Sequence, residues 1–151
     1  VFRRRQRQMC IRDRNKSNEL LKVLSDSGGI LGFSLYPHHL KNNTNCTLDS
    51  FCEMIARTSD IMNIKNIGIG SDLCLNQPDE IVEWMRNGTW SKNKNYGEGS
   101  KNKPGFPKQP GWFEDARGFF NIEKGLRKVG FSEEETNGIL GNNWYNFYRN
   151  I

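Results

Sequence analysis

Two short apolar runs separated by an amphipathic stretch set the frame of this chain. Ile30 to Leu35 is almost wholly apolar and is ended by Pro37. Such a run suits a strand buried on both faces. Asn66-Ile67-Gly68-Ile69-Gly70 is the second. Between them Leu48, Phe51, Cys52, Ile55 and Ile61 recur at helical spacing. Thr47 or Asp49 can cap this helix, which runs to roughly Met62 and is closed by Asn63 to Lys65. Residues 30 to 70 therefore read as strand–helix–strand. Parallel pairing needs such a crossover, so the predicted class is α/β.

The flanks read as helices and one long excursion. Asn18 to Leu24 is the end of a helix, with Leu20, Leu21 and Leu24 on one face, and Ser25 to Gly29 stops it. His38 to Asn45 is polar. Pro78 to Arg86 reads as a short helix carrying Ile81, Val82, Trp84 and Met85. Asn87 to Gly111 is rich in Gly, Pro, Lys and Asn, and loops of that length are functional or disordered. Its aromatics, Trp90, Tyr96 and Phe106, with Trp112 just beyond, favour a lid or packed excursion over 77–111. Ile122 to Val129 is helical and Gly130 ends it. Ser132 with Glu135 forms a capping box for the next helix. Gly141 breaks that pattern, and Asn142 to Arg149 forms a last turn or two rich in aromatics.

Charge changes the picture only at the N-terminus. The chain has 151 residues and a formal net charge of +5. Six arginines lie within the first fourteen residues, against one acid, Asp13. A basic arm of this kind ordinarily reads as a nucleic-acid tail. However, Arg4 to Asp13, RRQRQMCIRD, matches the translation of an adapter oligonucleotide used in transposase-based library preparation. Residues 1–14 are therefore expected to be an artifact, and 15–151 the C-terminal fragment of a longer protein. Without the arm the charge balances, so no nucleic-acid partner is expected. No apolar run approaches the ~18 residues of a membrane helix. Cys46, Cys52 and Cys74 form no C-x-x-C pair, which disfavours a zinc knuckle.

The sharpest chemical signal is Gly68 to Leu73, GIGSDL. An apolar strand delivers Asp72 at its C-terminal end, where catalytic side chains gather in parallel α/β folds. Gly70 and Ser71 allow close approach of a ligand. The plainer alternative is that Asp72 caps the next loop. His38 and His39 follow the first strand and are candidates for substrate contact. A metal role for the pair lacks a carboxylate or cysteine at ligand spacing. Cys74 reads as a buried small apolar residue rather than a nucleophile.

Four segments in one order resemble the membrane (renal) dipeptidase family of zinc metallopeptidases. They are Arg14-Asn15 with Asn18-Glu19, then Gly29 to Pro37, then Gly68 to Asp72, then Ile139 to Trp144. The resemblance covers nearly all of 15–151. It implies a (β/α)8 TIM barrel, of which this chain would hold the last two strands, 30–35 and 66–70, and the closing helices. It implies zinc-dependent hydrolysis of dipeptides or related small amides, with two zinc ions whose ligands lie upstream of this fragment. It implies that Asp72 shuttles a proton to the leaving amine and holds the substrate ammonium, and that Arg14 binds the substrate carboxylate. The fragment alone should then be inactive. The family's second aspartate and glycine after Asp72 are missing, since Leu73-Cys74-Leu75 stands there. A homodimer and a bacterial cytoplasmic or periplasmic location fit the resemblance. The rival reading is a metal-free, non-catalytic small-ligand-binding protein on the same barrel.

Overall fold

The structure is a computed structural model describing residues 16–76, 78, 80, 81, 84 and 107–150. The N-terminal arm with Arg14, and most of the expected lid, lie outside the described residues.

Helix α1 spans Asn18–Asp26, with the Ser17 hydroxyl accepting from the Leu20 N–H at 3.3 Å. It ends at Gly28, whose φ of 75° few residues other than glycine adopt readily. Strand β1 is Leu31–Ser34 and strand β2 is Ile67–Gly70. They pair in parallel, in register from Leu31↔Ile67 to Ser34↔Gly70. Helix α2, Leu48–Ser59, makes the crossover, and Thr47 rather than Asp49 caps it, accepting from the Ser50 N–H. Among the described residues, helices α3 (Phe119–Lys128), α4 (Glu133–Asn137) and α5 (Asn143–Arg149) follow.

The core lies between the sheet and α2 with α3. Successive strand residues point to opposite faces, and Phe33, Ile67 and Ile69 take the helix side. Phe33 meets Phe51 of α2 edge to face at 6.4 Å, and Trp112 packs on Phe51 at 5.4 Å. Phe51, Ile55, Ile67, Ile122 and Leu126 are fully enclosed. Gly125 lets α3 close on α2, because a Cβ there would stand 2.6 Å from the Cys52 sulfur.

Two expectations are corrected here. β1 is buried on one face only: Phe33 is buried, while Gly32 is exposed and Ser34 half-buried. Its apolar look comes partly from glycine, which offers no side chain to bury. Gly141 does not break the last helix either. Gly138–Asn142 forms a π-helical turn that runs directly into α5. The wider turn accommodates Asn143, whose Oδ1 would lie 2.9 Å from a Cβ on Gly138. π-turns are uncommon and mark places where side-chain demands override regular winding.

Candidate functional site

The candidate site is built at the C-terminal ends of the two strands. After β1, Tyr36 carries the chain into a short 3-10 turn, Pro37–His39. Proline suits its first position because its φ is already set and its missing N–H is not needed there. The turn folds His39 back onto the strand, so that Ser34 Oγ and His39 Nδ1 lie 2.9 Å apart. The Tyr36 N–H donates to the same Ser34 Oγ at 3.1 Å. The Tyr36 ring meets both imidazoles edge-on, at 5.4 Å for His38 and 5.0 Å for His39. His39 is half-buried and His38 exposed.

β2 delivers its aspartate beside this turn. The Leu35 N–H donates to the Ser71 carbonyl at 3.3 Å, which carries the pairing one step beyond the strands. Asp72 follows at φ 53°. Few non-glycine residues take this left-handed conformation, although aspartate and asparagine do so more readily than most. Ser71 Oγ accepts from the Leu73 N–H at 3.4 Å, tightening the exit. Asp72 is exposed, and none of the described ion pairs uses its carboxylate. The fold thus brings His38, His39 and Asp72 to one end of the sheet.

The return of the excursion is fastened to the loop leaving that end. Thr44 Oγ1 donates to the Lys108 carbonyl at 2.7 Å, and Trp112 Nε1 donates to the Cys46 carbonyl at 2.6 Å. Cys74 is exposed, contrary to the expectation of a buried apolar residue. Cys52 is buried, and burial pushes its thiol up to about 12, with the Asp49 charge adding to the shift. That makes it an inert packing group. Ser34 was the residue sequence reasoning missed. The signal was present in Ser34-Leu35-Tyr36-Pro37-His38-His39, where a proline-led turn can fold a histidine back onto the strand.

Chemically, the rim offers a carboxylate able to accept a proton or pair with a cation, and an imidazole held by a hydroxyl. Among the described residues, no three of His, Cys, Asp and Glu converge to hold a metal. No described helix is long and apolar enough to cross a membrane.

The opposite end of the sheet has a different character. A cavity of about 540 Å³ opens beside the residues that precede the strands, lined by Ile30, Lys65, Asn66, Glu134, Asn142 and Phe147 among others. Its amides serve the backbone. Asn66 Nδ2 donates to the Gly29 carbonyl at 2.6 Å, and Asn143 Nδ2 donates to the carbonyls of Ile64 and Ile67 at 2.9 and 2.7 Å.

No protein-family model matches this chain, and no curated protein matches it. Among solved structures, a crystal structure of an amidohydrolase from Pseudomonas aeruginosa matches with a TM-score of 0.74 and 29% sequence identity. The match covers 91% of this chain and 40% of that one. The chain is therefore a mixed α/β unit with a parallel strand pair, similar over most of its length to part of an amidohydrolase.

Proposed function

We propose that this chain is the C-terminal part of a zinc-dependent hydrolase of dipeptides or related small amides, built on a (β/α)8 barrel. The likeness to the Pseudomonas amidohydrolase carries the reading. Two further points support it: the order of the four dipeptidase-like segments, and the exposed, left-handed Asp72 at the end of β2. Amide hydrolysis adds water across the C–N bond and must deliver a proton to the departing amine. Asp72 is assigned that transfer, and also the pairing with the substrate ammonium, since a carboxylate suits both tasks. His38 and His39 are assigned to the substrate side of the same rim, and Arg14 to the substrate carboxylate through a bidentate fork. The described residues supply no ligand set for zinc. The ions implied by the resemblance would take their ligands from elsewhere in the protein, and would supply an activated water there.

The test is an assay of amino-acid release from a dipeptide panel. The 151-residue chain alone should be inactive. The chain joined to its upstream gene sequence should hydrolyse at least one dipeptide or small amide, and a zinc chelator should abolish this. A joined protein that binds small amides but hydrolyses none would instead establish the non-catalytic reading.

A further inference from the structure

We propose that Gly70 is a specificity-determining position of the strand-end rim, and that the space left by its missing side chain takes a large apolar side chain on the amino-terminal residue of a dipeptide substrate. The inference starts from what each glycine of the strand pair is for. Phe33, Ile67 and Ile69 point to the helix side, so Gly32, Gly68 and Gly70 point to the other. A glycine inside a strand loses more backbone entropy on folding than other residues and packs nothing, so each position has a cost to explain. For two of them the chain supplies the explanation. A Cβ on Gly68 would run into Trp144 Nε1, and a Cβ on Gly32 would stand 3.0 Å from Trp144 Cζ2. The half-buried indole fills the space of both. Among the described residues Gly70 has no such neighbour. Its Cβ would meet nothing nearer than the Gly32 backbone at 3.6 Å, and Gly70 is exposed. The glycines with left-handed φ are Gly28 and Gly130, so the backbone at Gly70 would also accept a side chain.

A glycine that neither the backbone nor a neighbour requires marks the close approach of another group. Its place in the rim selects that group. Gly70 pairs with Ser34 at the last step of the register and precedes the exposed Asp72 by two residues. A dipeptide whose ammonium pairs with Asp72 carries its first side chain on the adjoining carbon, within reach of Gly70. Gly32 borders both Gly70 and the indole, since its own Cβ would lie 3.4 Å from the Gly70 nitrogen and 3.0 Å from Trp144 Cζ2. The ledge is therefore strand backbone flanked by aromatic carbon. Such a surface favours an apolar side chain, because a charged one would lose water there without gaining a partner. The inference rests on the hydrolase reading and on Asp72 holding the ammonium.

The experiment compares Gly70→Ala and Gly70→Val with the unaltered joined hydrolase. The substrates are dipeptides with a constant carboxy-terminal residue and glycine, alanine, lysine, leucine or phenylalanine in first place. The unaltered enzyme should prefer leucine or phenylalanine. Gly70→Ala should lower the leucyl-to-glycyl ratio of kcat/KM by about tenfold, chiefly through KM, and Gly70→Val by more, since even one methylene in a pocket discriminates to this degree. Urea midpoints of the Gly70→Ala and unaltered proteins should agree, both for the 151-residue chain and for the joined protein. A ratio unchanged in both variants overturns the inference. So does an unaltered enzyme that prefers glycine or lysine in first place. A Gly70→Ala midpoint lowered in the joined protein but not in the 151-residue chain would place an upstream core side chain on Gly70, and overturns it as well. Each of these results leaves an active enzyme, and the hydrolase reading with it, standing. Absence of hydrolysis by the unaltered joined protein removes that reading and this inference together.

Discussion

The two ends of the parallel strand pair use polar side chains in opposite ways. At the end where the strands begin, Asn66 and Asn143 give their amide hydrogens to the backbone carbonyls of Gly29, Ile64 and Ile67. At the end where they finish, Asp72 is exposed in a left-handed backbone, and half-buried His39 is held by Ser34. A carbonyl buried without a donor costs about 1–3 kcal/mol, so the first end is written for stability. Asp72 has nothing to stabilise among the described ion pairs, and its backbone is uncommon for a side-chain-bearing residue. Strain of this kind collects at functional sites. Opposite ends with opposite assignments are what a parallel α/β unit provides, because all its strands point the same way.

The comparison predicts opposite outcomes for changes at the two ends. The largest effect expected is from Asp72→Asn in the joined hydrolase. Asparagine tolerates the left-handed backbone, so the fold should survive. Loss of proton transfer should lower kcat/KM by roughly 10²–10⁴-fold. Zinc content should be unchanged, and one limb of the pH–rate profile should shift or vanish. Near-normal turnover on the best dipeptide would reduce Asp72 to a loop cap and erase the contrast between the ends.

Asn143→Ala comes next and should act on stability instead. Two donors to strand-end carbonyls are lost from a residue 8% exposed. Urea denaturation of the chain should show a loss of about 1–3 kcal/mol or more, while His39 NMR signals keep their shifts. A loss of under about 0.5 kcal/mol would mean that water replaces the amide and that this end is not built for stability.

The glycines of β2 sharpen the contrast along one strand. The Trp144 indole lies on Gly68, where a Cβ would run into its Nε1, and that nitrogen donates to the Ile69 carbonyl at 3.0 Å. Gly68→Ala should therefore overpack and cost about 1–3 kcal/mol. A Cβ on Gly70 would meet its nearest neighbour at 3.6 Å, an ordinary contact. Gly70→Ala should stay within about 0.5 kcal/mol in the same denaturation series. Equal costs at both positions would show that backbone freedom, not the indole, explains the two glycines.

Much of this was legible in the sequence where local rules act alone. Ile30 to Leu35 and Asn66 to Gly70 announced strands by composition, and their apolar crossover announced parallel pairing. Ser132 announced a helix start, and the cap of α2 was narrowed to Thr47 or Asp49, because capping depends on the next three residues only. What could not be read depends on partners distant in sequence. Trp144 resting on Gly68 joins positions that no periodicity links. The π-turn before α5 arises because Asn143 must reach Ile64 and Ile67, whereas Gly141 read locally is a stop. The one-sided burial of β1 was hidden for the same reason, since glycine scores as apolar but covers nothing. The position of Asp72 at the C-terminal end of a strand was legible from the apolar run before it. The Ser34–His39 bond needed the turn geometry as well as the residue types.

The last test addresses a purely local feature of the stable end. Ser132 Oγ accepts from the Glu135 N–H at 3.2 Å, and the Glu135 carboxylate accepts from the Ser132 N–H at 2.8 Å. That backbone hydrogen bond, and then the serine hydroxyl, hold the Glu135 carboxyl below its ordinary value. A carboxyl lowered in the folded state adds stability above its unfolded pKa, and loses it as pH falls through the folded one. Ser132→Ala should cost about 1 kcal/mol near neutral pH. Glu135→Gln keeps an acceptor but removes the charge. Its difference from the unaltered chain should therefore be present at neutral pH and shrink toward zero as the solution is acidified below the ordinary carboxylate range. Thermal melts of the two proteins across that range supply the measurement. A difference that stays constant or grows on acidification would place the contribution of Glu135 elsewhere than the cap. Because this box lies on α4, away from the strand rim, neither change should move the NMR signals of the His39 ring. A shift there would mean that the two ends are coupled, and the division of labour between them would have to be redrawn.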